Sequence, residues 1–128
     1  ADAYIAAVRD AGLAAPWNAY WDRHYRYDLV DDAAGVRPRT SAAAVAEDVA
    51  YAAARNVRRE LWPHVTQPVL VIRATIPLAG SDGFVLTRAD YHAFLQGHPN
   101  ARGAQIAANH YGVVMDRATL EAIDEFLA

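Results

Sequence analysis

Apolar residues follow two different rhythms along this chain, and the change between them divides it. In the first half they recur at helical spacing. Tyr4, Ile5, Val8 and Leu13 fall near one face of a helix that Gly12 would end. Pro16 suits the first turn of a second helix, which carries Trp17, Tyr20, Trp21, His24, Tyr25 and Tyr27. Residues 30–39 contain Asp31, Asp32, Gly35 and Pro38 and read as a loop. Thr40 or Ser41 can cap a third helix, whose alanine-rich body runs to about Asn56.

The second half changes character. Residues 68–73, Pro-Val-Leu-Val-Ile-Arg, are a continuous β-branched run behind a proline, the pattern of a parallel strand buried on both faces. A turn-rich loop follows over 77–83. Thr87 can cap the next helix with Asp90 as its partner three residues on, and that helix carries Tyr91, Phe94 and Leu95. Gly97, Pro99 and Asn100 stop it. A second strand is expected over 103–108, then a loop, then a closing helix capped by Asp116. That helix would bury Leu120, Ile123 and Leu127 or Phe126. Two strands joined by a helix are parallel neighbours, and one such pair is too little sheet to stand alone. The three leading helices could cover its faces but could not supply strands.

Composition narrows the picture. The chain has 128 residues, 54% hydrophobic and 21% charged, which is a soluble globular composition long enough to bury a core. No apolar run approaches the roughly 20 residues that cross a bilayer. Ala1 is not an initiator Met, and no basic-then-apolar leader follows it. A processed or excised cytoplasmic chain with sequence upstream is therefore expected. Cysteine is absent, which excludes disulfides, thiolate catalysis and cysteine-ligated metals. A net charge of -3 argues against a nucleic-acid partner. All 12 basic residues are arginine, and with the heavy alanine usage this fits codon bias in a GC-rich bacterial genome.

The chemistry concentrates in Asn109-His110-Tyr111-Gly112. A histidine on a loop that leaves a strand and enters a helix is held at both ends, so its imidazole can project as a general base. No residue in the chain makes a convincing nucleophile. Ala79-Gly80-Ser81-Asp82-Gly83 mimics a nucleophile elbow, but an elbow needs a strand running straight into the turn and a helix leaving it. Here the strand ends near Arg73 and the next helix cap is Thr87. Ser41 is a helix cap. His92 and His98 lie too far apart, and without acidic neighbours, to hold a metal, while His24 and His64 are isolated. Gly80 and Gly83 do not form a phosphate-cradling loop. No cofactor or metal is expected.

Taken together, the residues resemble the C-terminal portion of the α/β-hydrolase superfamily, from the Trp/Tyr-rich helices to the last residue. In that family a helical cap precedes the penultimate core strand; then come an acid-bearing loop, a helix, the last strand and the loop of the catalytic histidine. Gln67-Pro68-Val69-Leu70-Val71-Ile72-Arg73-Ala74 matches the strand, Asn109-His110-Tyr111 the histidine loop, and 120–127 the closing helix. The resemblance implies a partial α/β-hydrolase fold, with a cap segment over 1–62 and core over 63–128. It implies His110 as the catalytic base and Asp82 as the orienting acid, although an insertion (75–81) separates Asp82 from its strand and some relatives carry the acid on an earlier strand. Trp17, Trp21, Tyr25 and Tyr111 would line the pocket of a small, partly apolar substrate. The nucleophilic serine, the oxyanion hole and most of the sheet would come from an N-terminal portion, in a separate chain or in residues outside these. Two other classes stay open: a non-catalytic binding or assembly subunit with this fold, and an independent small α/β module in which His110 is structural.

Overall fold

Helix-capping chemistry sets where the elements begin. In the computed structural model, which describes residues 1–33, 35–54, 60–78 and 83–128, the first helix α1 spans Asp2–Asp10. Gly12 follows at φ +68°, in the left-handed region glycine adopts without strain. The second helix, α2, spans Ala19–Tyr27 and starts later than Pro16 suggested. Asn18 caps it: its Oδ1 accepts from the Tyr20 N–H at 2.9 Å and the Trp21 N–H at 3.3 Å. Asn is a stronger start signal than a proline two residues upstream, because it satisfies N–H groups that the helix leaves open.

Residues 30–39 are a β-hairpin rather than a loop. Strand β1 (Leu29–Asp32) runs antiparallel to β2 (Gly35–Pro38), with Leu29 opposite Pro38 and Asp32 opposite Gly35. The base is closed by the Arg39 N–H donating to the Asp28 carbonyl at 2.6 Å. Turn-forming side chains hid these strands, since ladder bonds are made by the backbone and do not require apolar side chains. Gly35 takes φ +123°, which the tight reversal needs, and Pro38 stands at the strand's end. Helix α3 (Ala42–Ala54) follows. The Ser41 Oγ accepts from the Ala44 N–H at 3.3 Å, and the expected helix end at Asn56 lies outside the described residues.

Two units emerge. The first comprises Ala1–Gly12 and Pro16–Glu60; the second comprises Leu13–Ala15 and Leu61–Ala128. Among the described residues, Ile5 and Trp21 form the buried core of the first unit.

The second unit is built on β3 (Val69–Ala74) and β4 (Ala101–Ile106), a parallel pair in register from Val69 opposite Ala101 to Ala74 opposite Ile106. The strand β4 starts two residues earlier than expected, because the Ala101 N–H closes a turn onto the His98 carbonyl at 2.9 Å and the chain extends at once. Helix α4 (Arg88–Gly97) makes the crossover, with the Thr87 hydroxyl accepting from the Asp90 N–H at 3.0 Å and donating to the Asp90 carboxylate at 2.9 Å. Tyr91 and Phe94 are buried from this helix, and Ile106 from β4. Gly103 makes the seat for Tyr91: a Cβ there would run into the Tyr91 hydroxyl and come within 2.7 Å of Leu95 Cδ1.

Helix α5 (Arg117–Leu127) closes the unit, its Asp116 cap accepting from the Ala118 N–H at 2.9 Å. Its inward stripe is Thr119, Ala122, Ile123 and Phe126, whereas Leu120 is 61% and Leu127 75% exposed. The expected burial of Leu120 fails on geometry, since it lies one residue, about 100°, off the stripe, and of the pair Leu127 or Phe126 it is Phe126 that turns inward. The apolar run of β3 also departs from expectation. Val69, Leu70, Val71 and Ile72 are only half-buried, and among the described residues β3 pairs with β4 alone. The overall class is therefore mixed α/β, with one parallel and one antiparallel two-stranded sheet among the described residues.

Candidate functional site

The loop after β4 is fixed by one buried side chain. Asn109 is 8% exposed, and its Nδ2 donates to the Leu13 carbonyl at 2.9 Å while its Oδ1 accepts from the Gly112 N–H at 2.8 Å. The same loop is tied to the neighbouring strand where the Ile76 N–H donates to the Ala108 carbonyl at 3.1 Å. Gly112 allows the tight approach: a Cβ there would lie 3.2 Å from Ala108 Cβ and 3.3 Å from Asn109 Oδ1. A short 3-10 turn, Gly112–Met115, then leads into α5.

His110 sits between these anchors, exposed, with Tyr111 edge-on at 5.7 Å between ring centroids. Neither ring nitrogen of His110 is hydrogen-bonded to a described residue. The imidazole lines an apolar cavity of about 30 Å³ with Ile72, Ala74, Ile76, Leu78, Phe84, Val85, Leu86 and Val113. Leu78 and Phe84 flank Ser81 and Asp82 in sequence, and the Leu78 N–H donates to the Gly83 carbonyl at 3.2 Å. Ser81 and Asp82 themselves lie outside the described residues. The cavity holds about one water, far below the roughly 300 Å³ at which small-molecule sites begin.

Two wider hollows open elsewhere. One, of about 240 Å³, is lined by Pro63, Val65, Thr66, Gln67 and the 97–100 turn. The other, of about 500 Å³, involves Pro68, Pro99, Arg102 and Phe126. Both lie at the amino ends of the strands. Ligands of parallel sheets gather at the carboxyl ends, where His110 is, so size is the poorer guide here.

The aromatic candidates divide between the units. Trp17, Trp21 and Tyr25 belong to the first. Trp21 is buried at 4% exposure, while half-buried Trp17 stacks on Tyr25 with centroids 5.7 Å apart. Their rings and those of Tyr20 and His24 form one cluster along α2. Tyr111 is half-buried beside His110 in the second. His98 is committed to the fold: Nδ1 lies 2.7 Å from the Phe94 carbonyl oxygen and Nε2 2.6 Å from that of Trp62. Among the described residues, no three His, Asp or Glu side chains converge as a metal site. No helix among them is long and apolar enough to cross a membrane.

Sequence reasoning passed over Arg73. It is 6% exposed on β3, its Nε donating to the Leu86 carbonyl at 3.2 Å and its Nη1 to Gln105 Oε1 at 3.1 Å, with its guanidinium 5.0 Å from the Phe84 ring centroid. Burial pushes the Tyr91 phenol above its ordinary value, and the nearby Arg73 charge partly offsets this. The available signal was a lone charge inside an apolar strand, which calls for a partner.

No family model, curated protein or solved structure matches the chain.

Proposed function

We propose that this chain is the C-terminal part of an α/β-hydrolase-type serine hydrolase and supplies its catalytic histidine. One observation carries the reading. An exposed imidazole, neither nitrogen of which bonds a described residue, stands at the carboxyl end of a parallel strand pair, on a loop clamped by Asn109. Rigid support with a free functional atom is what a general base requires. The nucleophilic serine and the oxyanion hole belong to polypeptide outside these residues. His110 takes the serine proton as the oxygen attacks an ester, amide or related acyl carbon, then returns it to the leaving group. Asp82 orients the imidazole in this reading, and Leu78 and Phe84, on either side of it in sequence, line the same cavity. Tyr111, beside His110, provides apolar wall for a small substrate, and no cofactor takes part. The 30 Å³ cavity fits this division, because the remaining pocket wall comes with the nucleophile.

A second reading is a non-catalytic assembly subunit. It is favoured by the exposed apolar residues Val114, Met115, Leu120 and Leu127 along and before α5.

The deciding experiment is intact mass spectrometry of natively purified protein treated with a fluorophosphonate probe. A copurifying polypeptide that carries the label, with labelling lost in His110→Ala, is the expected result. A lone, unlabelled chain would overturn the hydrolase reading and leave the assembly subunit.

A further inference from the structure

The two strands of the parallel pair have unlike outer edges. In the ladder the Val69 N–H bonds the Asn100 carbonyl at 3.3 Å and the Thr75 N–H the Ile106 carbonyl at 2.9 Å. Odd-numbered residues of β3 therefore address β4, and by alternation Leu70, Ile72 and Ala74 turn their backbone N–H and C=O groups to the other edge. That edge belongs to a strand of half-buried apolar residues. On β4, by contrast, Arg102, Gly103 and Gln105 are exposed, and charge on an outer strand is a common guard against further pairing. The edge of β3 is the one suited to extension.

Arg73 supplies the chemistry. A guanidinium carries five N–H groups, and here two are used, both on uncharged acceptors. Every partner of Arg73 among the described residues is uncharged. A charge this deeply buried ordinarily has a carboxylate beside it, held through the two parallel bonds that arginine's fork allows. On the β4 side, Arg73's register neighbour is Gln105. On the other side, the corresponding position, about 5 Å away in a sheet, belongs to no described residue. We infer that β3 takes a further strand along its Leu70–Ile72–Ala74 edge, and that this strand sets an Asp or Glu opposite Arg73. The inference rests on the proposal that another polypeptide completes the sheet. It names that polypeptide's docking edge and the residue type that fixes its register.

The probes are two capped pentapeptides, Thr-Val-Glu-Val-Thr and its Gln counterpart, titrated into the isotope-labelled chain and followed by NMR. The Glu peptide is expected to slow amide exchange at Leu70, Ile72 and Ala74 and to shift the Arg73 Nε–Hε resonance. It should bind at least tenfold tighter than the Gln peptide, and Arg73→Gln should erase that preference. Intact exchange protection between β3 and β4 shows that this variant is folded. Arg73→Lys, which keeps charge without the fork, should retain part of the preference. Equal binding of both peptides, protection at Gly103 and Gln105 instead, or no binding at all would each overturn the inference. The hydrolase reading stands or falls separately. Selective capture of the Glu peptide without a fluorophosphonate-labelled partner keeps the docking edge and removes the hydrolase. A labelled partner whose capture is indifferent to Arg73→Gln does the reverse.

Discussion

The two units hold themselves together by different kinds of contact. In the first, the ring and ladder partners are near in sequence: Tyr20, Trp21, His24 and Tyr25 lie together along α2 with Trp17 just before it, and the hairpin pairs Leu29–Asp32 with Gly35–Pro38. In the second, they are distant. Arg73 meets Gln105 across 32 residues, His98 meets Trp62 across 36, and Asn109 reaches Leu13 across 96. Local contacts cost little chain entropy to form, whereas distant ones must repay loop closure before they contribute. The unit built from distant contacts is also the one that carries the candidate base. Asn109 illustrates why: a side chain tied to remote backbone fixes His110 more firmly than contacts along its own loop could.

The sharpest break of that comparison is Trp21→Ala. It removes the largest buried side chain of the first unit and should cost about 3–5 kcal/mol there. Urea unfolding followed by Trp62 fluorescence, with Trp17 also replaced by Phe, should show the second unit's transition unmoved. A matching shift of the Trp62 transition would mean that the two regions unfold as one. The counterpart in the second unit is Gly103→Val, whose side chain collides with Tyr91 and Leu95. Overpacking of this kind costs about 1–3 kcal/mol. The Trp62 transition should move and the Trp21 transition should not.

The same division explains what could be read from the chain. The strand β3 was legible because its Val-Leu-Val-Ile run has few other uses, and the caps Thr87, Asp116 and Ser41 were legible because capping is local chemistry. The hairpin was not, since its side chains spell a turn while its bonds are made by backbone. The helix α5 was placed correctly, with Ile123 and Phe126 on its inward stripe, but Leu120 was not, because it outscores Thr119 in hydrophobicity yet lies off the stripe. At the site, His110 stood out through its flanking residues. The grip of Asn109 on Leu13 and the burial of Arg73 depend on which distant segments meet, and no local pattern encodes that.

A smaller effect is expected at the crossover helix. Thr87→Ala removes a hydroxyl that both accepts from and donates to Asp90, and losing an N-cap costs about 1 kcal/mol. The loss should appear as faster amide exchange in the first turn of α4. Thr87→Ser, which keeps the oxygen, should restore protection. If both variants exchange alike, the cap is not what holds that end of the helix.

The smallest effect sharpens the comparison from the first unit's side. Arg26 bridges Asp2 of α1, at 2.8 Å, and Asp22 one turn back on α2, at 2.9 Å. The hydrogen bond from Arg26, then its charge, hold the Asp2 carboxyl below its ordinary value. A carboxylate depressed in the folded state gives up its proton more readily there than in the unfolded chain. Its stabilisation is therefore complete above the ordinary carboxylate value and disappears as pH falls through the folded one. Both partners are exposed at the surface, so the contribution is modest and screened by salt. Asp2→Asn should lower the Trp21-monitored melting temperature slightly at neutral pH and low salt. The gap from wild type should close as pH falls below the carboxylate range, and added salt at neutral pH should close it too. The Trp62 transition should show neither dependence. A gap that survives both acid and salt would mean that the Asp2 side chain supports α1 by something other than its charge.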